Sequence, residues 1–383
     1  MNEQKIYFNN LDSIRFIAAL MVYLGHGIRP SFQFLPIKNT FWEDILNFVS
    51  NGPTGVYLFF VLSGFLITYL LITEHELNLK VSLKNFYIRR VLRIWPLYFL
   101  VILFAFLIIP LVSSLVENYV PAPSKIIYYL TFLSNFDVLH LFKANLGPVN
   151  PLSQNITWSV SIEEQFYLFW PLIFVFLPKR LWLYSILLVI SGSIFFIILN
   201  YNDFLVLYFH TLSILIYFGT GALMAYLIKT NERVKRMFEN TSTYTHLTLF
   251  LITFIIFCWY QSIFTKEYCY IYGTIIISFC FALIIASQAL TKSKSILNMQ
   301  NISFANRWGK YTYGIYLIHP IVLALMNLLI PFIPFPTHNF LFVFSFGILC
   351  FILTLFLSKF SYKYYESRFL KLKHKFTSIE TAL

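Results

Sequence analysis

The sequence predicts an all-α polytopic membrane protein, and three observations carry that expectation: composition, the spacing of apolar runs, and the placement of basic residues. Of 383 residues, 58% are hydrophobic and 11% charged, with a mean hydropathy of +0.71. So few polar groups do not cover a soluble globule, and lipid must act as the solvent. Apolar segments of spanning length fall at about residues 11–28, 53–73, 92–116, 160–177, 181–199, 204–228, 245–260, 268–290, 311–330 and 340–358. They predict about ten transmembrane helices. With N- and C-termini cytoplasmic, the inward-facing pieces hold 22 of the 28 lysines and arginines, and the outward loops hold only Arg29, Lys38, Lys125, Lys143 and Lys266. That asymmetry is the positive-inside pattern. The net charge of +12 is therefore topological, and no nucleic-acid partner is expected.

The remaining bounds are brief. Cys258, Cys269, Cys280 and Cys350 lie in or beside apolar segments without C-x-x-C pairing, so they read as packing residues and no metal site is expected. The first apolar run follows a polar leader and is interrupted by Arg15, so it is expected to be retained rather than cleaved. Residues 1–383 are expected to form one integral-membrane domain, multi-pass in the cytoplasmic membrane, with cytoplasmic tails at about 1–10 and 361–383. Trp42 in the first outer loop is placed at headgroup level.

The first span, LDSIRFIAALMVYLGHG, carries Arg15 and His26, 11 residues apart. At about 100° per residue both leave one face, separated by roughly 16 Å along the axis. Polar groups at such depth are costly and point to function, although snorkelling to either interface accounts for each one singly. The second span has a Ser63-Gly64 pair near its middle, suited to close approach of another helix or of a substrate. Gly219 and Gly221 likewise suit close packing.

In NFYIRRVLRIWP, Arg89 and Arg93 share a helical face with Arg90 beside them. Three guanidinium groups at a membrane entry suit either the phosphates of a nucleotide-bearing donor or anionic lipid headgroups. Pro96 is expected to kink the third span. The outer connection over about 117–157 reads as a polar loop running into TWSVSIEEQFYLFWP. Adjacent Glu163 and Glu164 differ by about 100° in azimuth, so one faces any given cavity. A buried Glu163 would orient a histidine base, while Ser161 to Glu164 also reads as a capping box.

Span nine carries Tyr313, Tyr316 and His319 at every third residue, with His319 roughly 13 Å inside. Such a histidine needs partners, catalytic or merely satisfying, and Pro320 is expected to break the helix there.

Together LDSIRFIAALMVYLGH, GVYLFFVLSGFLIT, FYIRRVLRIWPLY, TWSVSIEEQFYLFWP and YTYGIYLIHP resemble, in order and spacing, the bacterial acyltransferase-3 family of integral-membrane O-acyltransferases. The resemblance runs from about residue 11 to 360. It implies transfer of an acyl group, commonly acetyl, from cytoplasmic acyl-CoA to a hydroxyl of an envelope glycan, lipid-linked sugar or secreted small molecule. By the same resemblance Arg15 and His26 match the first-helix pair, and Arg89, Arg90 and Arg93 the donor-binding arginines. Trp158, Ser159, Glu163 and Glu164 match the acidic motif, and Tyr316 and His319 the late tyrosine-histidine motif. Val160 stands where leucine is usual, and no esterase-like domain follows span ten, so acceptor selection is expected within the membrane domain.

The expected mechanism makes His26 the general base, oriented by Glu163, with Arg15 or Tyr316 stabilising the oxyanion and His319 part of the same catalytic set. Acyl-CoA is expected as donor substrate, with no tightly bound cofactor. Its pantetheine arm is expected to rise between spans one, two, three and nine, with Ser63, Trp158, Ser159 and Glu164 on the substrate side. The competing expectation is a glycan or lipid transporter, with helices broken at Pro96 and Pro320 along its path.

Overall fold

The computed structural model describes residues 8–27, 52–108, 110–111, 124–146, 156–263, 269–292, 297–330 and 340–376. Every secondary-structure element among them is helical. Ten long helices form in the expected order: α1 (Asn9–Gly27), α2 (Gly52–Asn78), α3 (Leu83–Leu103), α4 (Thr157–Phe176) and α5 (Lys179–Leu199), then α6 (Thr211–Thr230), α7 (Thr243–Ile263), α8 (Cys269–Leu290), α9 (Thr312–Asn327) and α10 (Phe340–Ser361). Six segments are long and apolar enough to cross a membrane: Gly52–Asn78, Leu83–Ile108, Lys179–Leu199, Thr211–Thr230, Tyr270–Leu290 and Phe342–Lys373. Shorter apolar stretches run over Thr243–Phe257 and Thr312–Asn327. Asp12, Arg15 and His26 in α1, and Glu163 and Glu164 in α4, dilute the apolar character of the two remaining helices.

Several boundaries differ from the sequence expectation for local reasons. Helix α3 begins nine residues before the apolar run, because Ser82 accepts the Asn85 N–H at its start, and this puts Arg89, Arg90 and Arg93 on the helix itself. Pro96 sits inside α3, which continues into a π-helical turn, Phe104–Ile108. Pro320 does not break α9, which runs uninterrupted past it. The segment expected as one span over 204–228 is two helices, Phe204–Phe209 and α6, parted at His210, whose Nδ1 caps α6 through the Leu212 N–H.

The outer connection is more ordered than a polar loop. It carries helices Ile126–Leu130 and Ser134–Lys143, and Ser134, Asn135 and Asp137 are buried. Gln165 ties it down, bonding the Phe132 carbonyl, Asn135 Oδ1 and Thr211 Oγ1. The described residues beyond α10 are likewise helical: a π-turn, Tyr362–Glu366, leads into Ser367–Lys373, which packs on α3. Trp42 and the first outer loop lie outside the described residues, as do 112–116 of the third expected span and 147–155 of the connection.

Helix α2 is the axis of the bundle, packed between α1 and α6. Its contact with α6 is backbone against backbone. A Cβ on Gly64 would lie 2.1 Å from the Phe218 carbonyl oxygen, and one on Gly221 would lie 2.0 Å from that of Val61. Both glycines therefore serve helix packing, the membrane use of small residues. Around them Tyr57 stacks on Tyr217 at 4.3 Å and Phe60 packs on Phe218 at 4.9 Å. Replacing Gly221 by valine must push α2 and α6 apart. The expected outcome is a loss of about 1–3 kcal/mol, read as a lower Tm in detergent, whereas Gly192→Val, where an added Cβ meets nothing within 4 Å, leaves Tm unchanged.

Candidate active site

A cavity of about 900 Å³, counted to its open end, lies between α1, α2, α3, α4 and α9. Four of these helices were expected to enclose it; α4 is the addition. One part of its lining is basic, from Arg15, Arg90 and Arg93. Elsewhere Ser63, Glu163 and Tyr167, then Ser159 and Tyr316, supply polar atoms in a wall otherwise made by residues such as Phe59, Leu62 and Ile67.

The four arginines have different electrostatic surroundings. Arg15 is buried against Asp12, three residues earlier on α1. Arg89 does not line the cavity: its Nη2 meets Glu74 Oε2 at 2.8 Å and its Nη1 donates to the Phe376 carbonyl at 2.8 Å. Glu74 is itself buried, with its other oxygen taking the Ser82 N–H. Arg89 therefore latches the C-terminal segment and is not one of the converging trio. Arg90 is 9% exposed and lies over the rings of Phe86 and Tyr167, at 5.6 and 5.5 Å. Its Nε is buried without a hydrogen-bond partner, and among the described residues neither Arg90 nor Arg93 forms an ion pair.

Glu163 is not the partner of His26. Its Oε1 accepts the hydroxyl protons of Ser63, at 2.6 Å, and of Tyr167, and this knot lies beside Arg90. Tyr167 was missed at the sequence level, although it stands four residues after Glu163 on one helical face. Glu164 lies off the cavity, held by Trp95 Nε1 at 2.8 Å. The capping box does not form, because α4 starts at Thr157 and Ser161 instead bonds Ser134 at 2.7 Å. Trp158 is 6% exposed and packs in an aromatic cluster with Phe60, Tyr208 and Phe209, so it supports the wall without lining it. Ser159 faces the cavity and bonds the Tyr316 hydroxyl at 2.5 Å.

His26 meets His319. The rings stack with centroids 5.3 Å apart and 13° between planes, and His26 Nδ1 lies 3.0 Å from His319 Nε2. His319 Nδ1 lies 3.0 Å from the Ile315 carbonyl, which only accepts, so that nitrogen carries the proton. In the neutral pair His319 Nε2 is then an acceptor, His26 Nδ1 donates to it, and the lone pair of His26 sits on Nε2. His319 is buried and His26 is exposed. The geometry thus leaves His26 Nε2 with its lone pair, the ring held by a relay ending on a backbone carbonyl. Neither histidine lines the described cavity; Tyr316 stands between, its ring edge-on to His319 at 6.2 Å.

A helical bundle with membrane-spanning segments thus holds an arginine-lined chamber beside an oriented pair of histidines. The sequence profile of the acyltransferase-3 family, described as an acyltransferase domain, matches residues 8–359, and the chain belongs to that family. It is 28% identical over 345 residues to a candidate O-acetyltransferase of Staphylococcus aureus strain COL, covering 84% of this chain and 51% of that protein. It is 28% identical over 339 residues to a candidate peptidoglycan O-acetyltransferase, YrhL, of Bacillus subtilis strain 168, covering 83% and 49%. A shorter match, 31% over 179 residues, relates 45% of the chain to 26% of the O-acetyltransferase OatA of S. aureus strain NCTC 8325. The chain thus spans about half the length of the first two relatives. No solved structure gives a significant match.

The arginines yield a contrast that stability measurements can read. Arg89→Met strands the buried Glu74 carboxylate and is expected to cost about 3–5 kcal/mol, seen as a lower Tm. Arg90→Met removes a buried cation that has no ion-pair partner among the described residues and is expected to leave Tm equal or higher, while impairing activity.

Proposed function

We propose that this chain is a membrane O-acyltransferase that moves an acyl group, acetyl first among them, from acyl-CoA to a hydroxyl of an envelope glycan or lipid-linked sugar at the cytoplasmic membrane. The observation that carries the reading is the His26–His319–Ile315 relay beside the Tyr316 end of a cavity lined by Arg15, Arg90 and Arg93. Family membership and the names of the O-acetyltransferase relatives support it.

In this reading Arg90 and Arg93 hold the phosphates of the donor, and the pantetheine arm extends along the apolar wall toward Ser159 and Tyr316. The acceptor hydroxyl gives its proton to His26 Nε2 as its oxygen attacks the thioester carbonyl carbon. Charge that builds on the carbonyl oxygen is met by the Tyr316 hydroxyl, a contribution of about 3 kcal/mol for a well-placed donor. Collapse breaks the C–S bond, the ester leaves on the acceptor, and the proton on His26 passes to the departing thiolate. Glu163 acts at a distance from this chemistry: with Ser63 and Tyr167 it fixes the wall beside Arg90 and offsets part of the arginine charge. The transport alternative expected broken helices, and α3 and α9 run through Pro96 and Pro320 without interruption.

The test uses purified protein, acetyl-CoA and a soluble glycan acceptor. His26→Ala is expected to lower turnover by about 10²–10⁴-fold with Tm unchanged. His319→Ala, which removes the orienting acceptor, is expected to lower kcat about tenfold or more with KM for acetyl-CoA little changed. Full turnover in His26→Ala would refute the base assignment.

A further inference from the structure

The chamber does not end at the Ser159–Tyr316 pair. Two contacts set α2, α4 and α9 in register around that pair: Ser63 donates to Glu163 at 2.6 Å, and one turn earlier on α2 the Phe59 ring meets that of Tyr316 edge-on at 5.9 Å. Tyr316 bonds Ser159, which likewise stands one turn before Glu163, on α4. Phe59 is therefore level with the two hydroxyls, and the lining continues past it along α2 to Val56. The helical rise between Phe59 and Val56 gives this last stretch a depth of about 4.5 Å.

The stretch differs in character from the rest of the chamber. Side chains lean toward the N-terminus of their helix, so Phe60 on α2 and Val160 on α4 lean toward the Val56 end and flank it. Val56, Phe60 and Val160 are buried and carry no charge. Phe60 has no room to withdraw, because it packs on Phe218 at 4.9 Å and on Trp158 at 6.2 Å. The charged lining lies the other way along α4: Glu163 is one turn from Ser159, and Arg90 sits over the ring of Tyr167, a turn further on.

We infer that this recess receives the acyl chain of the donor, and that Val56, Phe60 and Val160 restrict the protein to short, uncharged acyl groups. The inference rests on the donor reading above, in which the thioester carbonyl comes to the Tyr316 hydroxyl. An acyl chain leaves that carbon on the side away from the pantetheine sulfur, and with the arm approaching from the arginines it points into the recess. Carbon–carbon bonds of about 1.5 Å advance an extended chain by roughly 1.3 Å each, so about three carbons beyond the carbonyl fill the depth. Acetyl and butyryl groups fit. A hexanoyl chain overruns Val56, and a succinyl carboxylate is buried among apolar side chains without a partner.

The test displaces radiolabelled acetyl-CoA from the purified full chain in nanodiscs with unlabelled thioesters, and needs no acceptor. Butyryl-CoA is expected to compete about as well as acetyl-CoA, whereas hexanoyl-CoA and succinyl-CoA compete about tenfold or more weakly. Val160→Leu brings one more methylene into the recess and is expected to weaken butyryl-CoA relative to acetyl-CoA about tenfold. Val160→Ala is expected to improve hexanoyl-CoA relative to acetyl-CoA. Leu70→Ala, which alters apolar lining at the opposite end of the α2 stretch, is expected to leave every ratio unchanged. Equal competition by all four thioesters, or a butyryl-to-acetyl ratio unmoved by Val160→Leu, would overturn the inference and leave the donor reading standing. Absence of acetyl-CoA binding by the wild type would overturn both.

Discussion

A positive charge inside an apolar bundle must be met by a negative one, and how each arginine meets that demand organises the interior. Arg15 and Arg89 are answered by carboxylates of the same chain, Asp12 and Glu74. Their neighbours Arg90 and Arg93 line the cavity with no such carboxylate among the described residues. Pairing therefore separates Arg15, tied within α1, and Arg89, tied across from α3 to α2, from Arg90 and Arg93, which have no carboxylate partner among the described residues. Coulomb attraction is strongest where water is scarce, so the second pair sits where an incoming anion would gain most.

The other end of the site is organised by hydrogen-bond direction rather than by charge. A carbonyl only accepts, so Ile315 fixes the proton on His319, and His319 in turn fixes the tautomer of His26. A carboxylate in the orienting place would also stabilise an imidazolium; a neutral imidazole on a carbonyl orients with a smaller electrostatic contribution. Keeping Glu163 in its own knot with Ser63 and Tyr167 separates the carboxylate beside Arg90 from the histidine pair.

Much of the helical layout was legible because a span advertises itself through its own composition. Ten apolar runs gave ten long helices in order, and the separation of Arg15 from His26 along α1 follows from helical rise alone. The start of α3 was not legible, because a polar first turn continues a helix beyond its apolar run when Ser82 caps it. The break at His210 was hidden by apolar residues on both sides, and the order of the outer connection depends on Gln165, about 30 residues along the chain. In the site, residue types were readable and partners were not. His26 and His319 are 293 positions apart, and Arg89 reaches Phe376 across 287, so the sequence offers no local sign of either pairing. Tyr167 is the exception, since its spacing from Glu163 is a helical turn.

The glycine crossing of α2 and α6 bears on how the chamber moves. Gly64 has its backbone against the Phe218 carbonyl, and the residue before it, Ser63, carries the hydroxyl that reaches Glu163. A side chain one position from such a pin has little freedom to recede. The Ser63–Glu163 side of the chamber, next to Arg90, is thus anchored to the helix crossing itself, so a shift of α6 against α2 would be felt directly in the chamber wall.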